Sequence, residues 1–130
     1  MNQAPLPALY ELRVEDEFAA AHRLREYEGE CENLHGHNWR IEVVWEGSEL
    51  NRLGMLMDFR DAKRMLKEVL GEFDHKDLNA LPAFGEINPT TENMARLIAE
   101  RLAEMTPEGV AVQSVTAWES GRCGVAYRPR

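Results

Sequence analysis

The chain has 130 residues, enough for one domain with a substantial core and too few for two. Its formal net charge is −8, and its basic residues form no cluster of the kind that nucleic-acid binding requires. No apolar run is long enough to cross a membrane, and the amino terminus lacks the features of a signal peptide. We therefore expect a cytoplasmic protein without nucleic-acid or membrane partners. Residues 1–8, with two prolines, are predicted to be a flexible leader before a single domain at 9–130.

Two strands are predicted in the first third of the chain. In the first, over residues 10–20, mostly apolar side chains recur at every second position from Leu12, and the series ends at His22. A period of two residues is that of a β-strand, in which alternate side chains share one face. The second strand spans about 35–45, and one of its faces would carry His35, His37, Trp39, Ile41, Val43 and Trp45.

Three histidines are therefore expected to meet where these two strands lie side by side. His35 and His37 would project from the same face, and His22 would end the neighbouring strand. Three imidazoles with an open fourth position form the ligand set of a catalytic zinc. The simpler alternative is that His35 and His37 are ordinary strand residues bonded to the backbone. The convergence of three imidazoles favours a metal site over that alternative.

The two cysteines raise separate questions. Cys31 stands close to the predicted metal site, where it could supply a fourth, thiolate ligand and close the site as a structural one. That alternative stays open on the residues alone. Cys123 lies in a predicted strand, where we expect it to be buried packing. A disulfide between the two is not expected in a reducing cytosol.

Two helices and two further strands are predicted in the rest of the chain. Asp58 is a good N-cap for a helix that begins at Phe59 and ends near Gly71. Residues 88–92 resemble a second helix start with a threonine cap, and the strands follow at about 111–119 and 123–128. The order ββααββ predicts an α+β domain with a four-stranded antiparallel sheet and two helices on one face. The exposed edges of such a sheet predict self-association.

Several motifs taken together resemble the pterin synthases, the family of 6-pyruvoyltetrahydropterin synthase and its bacterial relative, 6-carboxytetrahydropterin synthase. The resemblance covers nearly the whole chain after residue 8, and the motifs occur in order with compatible spacing. They are Phe18-Ala19-Ala20-Ala21-His22-Arg23-Leu24, Cys31 with His35-Gly36-His37, Asp74-His75, Pro89-Thr90-Thr91-Glu92, and Glu119 before Cys123-Gly124-Val125-Ala126-Tyr127.

The resemblance implies the tunnelling fold, in which subunits of this type assemble around a barrel, here as a trimer or a homohexamer of two stacked trimers. It implies 7,8-dihydroneopterin triphosphate as the substrate and zinc as the cofactor. By the family pattern the zinc ligands would be His22, His35 and His37.

The resemblance also assigns the remaining site residues. Cys31, Asp74 and His75 would form the catalytic acid–base set, and Glu119 would anchor the pterin ring with Thr90 or Thr91 nearby. These residue types suit those roles, because a thiol near a cation is a suitable base and a carboxylate can accept two parallel N–H donors. The sequence shows no pair of basic residues that would mark the triphosphate-binding site. The candidates for this site are Arg23, Arg25 and Arg122.

The exact reaction is predicted from the subgroup. Some family members carry a glutamate in place of the cysteine or just before His-Gly-His, with aldolase-like chemistry; the presence of Cys31 and of apolar Leu34 argues against that branch. The short amino terminus and compact loops favour the carboxy type, which releases acetaldehyde and triphosphate in the queuosine and 7-deazaguanine precursor pathway. The alternatives are the pyruvoyl-type synthase and a non-catalytic, zinc-stabilised pterin-binding protein.

Overall fold

The computed structural model describes residues 8–29 and 32–130 of the chain. Within these ranges there are five strands, two α-helices and two short 3₁₀ helices. In chain order they are β1 (Tyr10–His22), β2 (His35–Gly47), α1 (Phe59–Leu70), β3 (Lys76–Asp77), 3₁₀ helices at Leu78–Ala80 and Pro82–Phe84, α2 (Thr91–Met105), β4 (Ala111–Trp118) and β5 (Gly124–Tyr127).

The strands form one sheet in the order β3-β1-β2-β4-β5. Strands β1 and β2 are each 13 residues long and are paired antiparallel over their whole length, from Tyr10 opposite Gly47 to His22 opposite His35. Strand β4 pairs antiparallel with β2, and a bulge between Val44 and Trp45 shifts the register near the far end of the hairpin. This long pairing holds the histidine-bearing ends of β1 and β2 side by side.

The core lies between one face of this sheet and the two helices. Trp39, Ile41, Val43 and Trp45 of β2 are all completely buried, as the period of two residues requires when one face is covered. Both helices contact the sheet and each other. The buried face of β2 therefore continues directly from His35 and His37 into the core.

The fold class predicted from the sequence is confirmed, with one addition. Strand β3, which is only two residues long, pairs in parallel with Ala20 and Ala21 of β1, so the sheet has five strands and is not purely antiparallel. It was missed because two residues carry no periodicity that a sequence pattern could reveal.

The helix starts are where the capping residues predict them. Asp58 accepts a hydrogen bond from the backbone N–H of Arg60, and Thr90 accepts one from the backbone N–H of Asn93. The expectation for Cys123 is wrong, because this residue is exposed and precedes the first residue of β5. Among the described residues, neither helix is long and apolar enough to cross a membrane.

Gly47 ends β2 at a tight contact, and this contact yields a test of the packing. A Cβ atom there would lie 2.7 Å from Leu56 Cδ1 and 2.8 Å from the Gly109 carbonyl oxygen. We expect Gly47→Ala to lower the free energy of unfolding by about 1–3 kcal/mol, the usual cost of overpacking. Gly121→Ala is the control, because nothing lies within 4 Å of its added methyl group. Equal stabilities of the two variants in urea denaturation would contradict the contact.

Candidate metal centre

The register of the β1–β2 pair brings the three predicted histidines together. His22 stands directly opposite His35, and His37 follows two residues along the same face of β2. The ring centroids of the three imidazoles lie 4.7 to 5.1 Å apart. Each ring offers one nitrogen to a group that also includes a carboxylate oxygen of Glu119, and these four atoms all lie within 4.8 Å of one another. The group could hold a metal ion.

Hydrogen bonds at the far side of two rings determine which nitrogen is free to bind a metal. His22 Nδ1 lies 2.8 Å from the Pro89 carbonyl oxygen, and His35 Nδ1 lies 2.8 Å from that of Asn33. A carbonyl oxygen only accepts, so both Nδ1 atoms carry the hydrogen and donate it. In the neutral imidazole each Nε2 then presents a lone pair, which is the usual arrangement of a metal-binding histidine with its outer partner.

The surroundings of Glu119 fit a cation. Its Oε1 atom lies 3.1 Å from His22 Nε2 and 3.0 Å from His37 Nε2. These distances suit an ion pair, yet both Nε2 atoms are buried without a hydrogen bond of acceptable geometry within the described structure. A carboxylate oxygen and two unprotonated ring nitrogens are all acceptors, so they repel one another unless a proton or cation lies between them.

Burial also favours the ligand form of His37. Desolvation is the largest effect on this ring and lowers its pKa below the ordinary value of a histidine; Glu119 acts in the opposite direction. A lowered pKa means that the neutral ring, which binds metals, persists to a lower pH.

Trp39 forms the inner wall of the group. It is completely buried, and its ring stands edge-on to His22 at 5.1 Å and to His37 at 5.5 Å between centroids. Phe18, which lies opposite Trp39 on β1, stacks on its other side at 6.1 Å. This aromatic packing restricts the two imidazoles and shields one side of the group from water.

The proximity of Glu119 to the histidines was not foreseen from the sequence. The family resemblance assigns this residue to the pterin ring and gives no position for it beside the metal group. A signal was present, however, because Val115 and Ala117 of β4 share one parity with Glu119, which directly follows that strand, and Ala117 pairs with Ile41 on the histidine-bearing face of β2. Continuing that register by two residues places Glu119 opposite Trp39, one side chain along the same face from His37.

The Asp74-His75 pair is fixed on the edge of β1. The backbone N–H of Ala19 donates to Asp74 Oδ1 at 3.0 Å, and the N–H of His75 donates to the Ala19 carbonyl at 2.6 Å. The first of these bonds is the main reason that the pKa of Asp74 lies below its usual range. Asp74 Oδ1 also lies 3.0 Å from His75 Nδ1. The carboxylate therefore stays ionised at neutral pH and orients the imidazole.

His75 is exposed and conformationally unusual. Its side chain is 81% exposed, and its φ of 59° lies in the left-handed region that non-glycine residues seldom adopt. Such backbone strain is concentrated at functional sites. His75 and His37 line the same open cleft of about 480 Å³, together with Lys76 and small residues of β1 and β2. The structure thus brings the Asp-His pair and the metal group to one end of the sheet.

The remaining predicted site residues are Cys31, Thr90 and Thr91. Cys31 lies outside the described residues, so its predicted roles stay untested. Thr90 uses its hydroxyl oxygen as the helix cap, and Thr91 is buried in the first turn of α2. Both threonines directly follow Pro89, whose carbonyl contacts His22.

The structure distinguishes Arg25, a predicted candidate for binding the triphosphate, from a basic residue that lines the cleft. The guanidinium of Arg25 donates to the backbone carbonyls of Asn79, Phe84 and Ile87, so it serves to hold this loop. Lys76, which was not among the predicted site residues, lines the cleft and carries a positive charge. An isolated lysine in a polar loop carries no signal that distinguishes it from solvated surface.

Comparison with known proteins identifies the family. The family model described as 6-pyruvoyl tetrahydropterin synthase matches residues 11–130. The chain belongs to this family. It is 40% identical over 108 residues to the dihydroneopterin monophosphate aldolase of Pyrococcus furiosus, covering 83% of this chain and 88% of the relative. It is 36% identical to an Archaeoglobus fulgidus protein named, provisionally, 6-carboxy-5,6,7,8-tetrahydropterin synthase, with 82% and 85% of the two chains covered.

The structural comparison agrees. The 6-pyruvoyl tetrahydropterin synthase of Caenorhabditis elegans superimposes with a TM-score of 0.83 over 100% of both chains at 26% identity. The expectation of a pterin-synthase fold is therefore confirmed. The names of these relatives describe three different reactions, so family membership alone does not select one of them.

Removal of one imidazole tests the metal group. We expect His35→Ala to lose most of its bound metal, because two ring nitrogens and a carboxylate form a poorer site. His75→Ala is the matched control, since this imidazole lies outside the group and its loss should leave the metal content unchanged. Elemental analysis of the purified proteins measures both. Full metal content in His35→Ala would exclude His35 as a ligand.

Proposed function

We propose that the protein converts 7,8-dihydroneopterin triphosphate and water to 6-carboxy-5,6,7,8-tetrahydropterin, acetaldehyde and triphosphate, as a zinc-dependent enzyme of the queuosine and 7-deazaguanine precursor pathway. The observation that carries this proposal is the meeting of two groups at one cleft. His37, one of the three convergent imidazoles, lines this cleft, and so does His75, whose Nδ1 lies 3.0 Å from Asp74 Oδ1.

The zinc ligands in this proposal are His22, His35 and His37. Three neutral nitrogen ligands suit zinc and leave a coordination position for an oxygen of the substrate. When bound, the zinc supplies Lewis acidity that polarises the substrate's hydroxyl-bearing side chain and makes the adjacent C–H more acidic. The protein contributes by keeping each ring neutral and aimed inward through its Nδ1–H bond to the backbone.

Proton transfer is assigned to Cys31, Asp74 and His75. Cys31 removes a proton from the substrate side chain as a thiolate, whose formation a nearby cation favours. His75 delivers a proton to the pterin ring, and its exposed position on the cleft gives it access. Asp74 orients His75 and, with its lowered pKa, remains a carboxylate throughout the neutral range.

Glu119 is assigned to the pterin ring. Its carboxylate offers two oxygens to the paired N–H donors of the ring, a planar two-point match. Its side chain is 32% exposed and directly follows β4, so it lies beside the imidazoles and is accessible from solvent. Thr90 and Thr91 are proposed to lie beside the ring.

A second candidate reaction is favoured by one relative. The 40% identity to dihydroneopterin monophosphate aldolase points to retro-aldol cleavage of the same side chain in a monophosphate substrate. Against it stand Cys31 and Leu34, at positions where the resemblance places the aldolase-type glutamate.

The pyruvoyl-type synthase, which the superimposed C. elegans structure represents, is the third reaction to distinguish. A purely structural metal site would not need the Asp74–His75 pair.

We also propose that subunits associate through the sheet edges, as a homohexamer built from two trimers. Within the described chain, β3 covers only Ala20 and Ala21 of the β1 edge, which leaves residues 10–18 of that edge unpaired. Unpaired edges of this length are usually covered in stable proteins.

Product analysis decides among the reactions. Incubated with 7,8-dihydroneopterin triphosphate, the zinc-loaded protein is expected to release acetaldehyde and to form 6-carboxytetrahydropterin, both detected by mass spectrometry. Accumulation of 6-pyruvoyltetrahydropterin without acetaldehyde would assign the pyruvoyl reaction. Turnover only of dihydroneopterin monophosphate, with a hydroxymethylpterin and glycolaldehyde phosphate as products, would assign the aldolase.

The role of Glu119 is tested by Glu119→Gln. An amide keeps the size but loses the charge and one acceptor, so we expect KM to rise by about tenfold or more while the zinc content stays at the wild-type level. His35→Ala is the reference for true ligand loss. A Glu119→Gln protein that loses its zinc would make Glu119 the fourth ligand and overturn its assignment to the ring.

A further inference from the structure

Two asparagine side chains hold the chain that follows β1 in the same way. Asn79 accepts from the backbone N–H of Arg23 at 2.8 Å and donates to the carbonyl of Arg23 at 3.0 Å. Asn88 accepts from the N–H of Arg25 at 2.8 Å and donates to the carbonyl of Arg25 at 3.1 Å. Each amide group satisfies both backbone groups of one residue, as a neighbouring strand would.

The second of these contacts leads to the hydrogen-bond partner of His22. Asn88 precedes Pro89, whose carbonyl oxygen accepts the Nδ1–H of His22 at 2.8 Å. The other neighbour of Pro89 is Thr90, the N-cap of α2, which accepts from the backbone of Asn93. The Asn93 side chain closes the loop by donating to the Asn88 carbonyl at 2.8 Å. Pro89 is thus anchored on both sides, and its ring fixes its own φ.

This anchoring determines what His22 presents to a metal. The ring of His22 is buried, and within the described structure the Pro89 carbonyl is its hydrogen-bond partner. A carbonyl held in place selects the Nδ1–H tautomer and directs Nε2 toward His37 and Glu119. If the carbonyl moved, the ring would lose the contact that sets both its tautomer and its rotation.

We propose that Asn88 is a positioning residue for the metal centre, acting through the Pro89 carbonyl on His22. The proposal rests on the metal-binding role proposed for His22. It does not depend on which pterin reaction the enzyme performs. Loss of such an outer partner typically lowers metal affinity by about 10- to 100-fold, and we expect Asn88→Ala to fall in this range.

Asn79→Ala is the matched control. It removes the same pair of bonds from Arg23, which directly follows His22, and leaves Asn88 and Pro89 in place. It therefore measures the cost of loosening the chain beside His22 without releasing the Pro89 carbonyl. Zinc affinity is measured for wild type and both variants by competition with a chromophoric chelator, and stability by urea denaturation of the metal-free proteins. Replacement of zinc by Co²⁺ adds a spectroscopic readout, because the visible absorption of Co²⁺ reports the geometry of its ligands.

The expected result separates the two asparagines. Asn88→Ala binds zinc about 10- to 100-fold more weakly and shows an altered Co²⁺ spectrum, whereas Asn79→Ala keeps wild-type affinity and spectrum despite a comparable loss of stability. Equal affinity losses in both variants, or wild-type affinity in Asn88→Ala, would overturn the proposal. If Asn88→Ala does not fold, Asn93→Ala, which removes the bond to the Asn88 carbonyl, must weaken zinc binding for the proposal to stand.

The same experiment distinguishes failure of the proposed metal-binding function from failure of the positioning role alone. If the wild-type protein binds neither zinc nor Co²⁺, the metal-binding role of His22, and with it this proposal, is wrong. If the wild type binds zinc tightly and Asn88→Ala binds it equally well, only the positioning role is wrong.

Discussion

The pairing of β1 with β2 is the constraint on which the site depends. Because His22 lies opposite His35, a shift of the register by one residue would turn one set of side chains to the other face and separate the imidazoles. The register is held by 13 pairs and by the buried face of β2, on which Trp39, Ile41, Val43 and Trp45 must stay within the core. The hydrophobic core and the metal group are therefore specified by the same alternation of side chains.

The segment from Asp74 to Thr90 connects the β1–β2 pair to the other residues of the site. It follows the edge of β1 and its continuation, first through Ala19, then through the short strand β3, and finally through the two asparagines that hold Arg23 and Arg25. One segment thus positions the Asp74–His75 pair at its start and the outer partner of His22 at its end. This arrangement links the Asp74–His75 pair to the metal group although the two are more than 35 residues apart in sequence.

The electrostatics of the site and of the whole chain both favour a bound cation. The protein carries a net charge of −8, and the metal group itself contains a carboxylate facing two ring nitrogens. This collection of acceptors favours a cation and disfavours an anionic substrate without one. A bound metal would therefore serve both the proposed chemistry and the approach of the phosphorylated pterin that we propose as the substrate.

The sequence by itself determined the two α-helices and the four antiparallel strands, the helix caps at Asp58 and Thr90, and the three imidazoles, because each depends on local periodicity or on residues close along the chain. It also pointed to Glu119, Asp74 and His75 through their resemblance to a family. Only the tertiary structure decided that Glu119 faces His22 and His37, that Asp74 is held by Ala19, and that Asn88 and Pro89 support His22. These contacts join residues 55 to 97 positions apart, and no local pattern encodes which of many polar side chains will meet across a sheet edge.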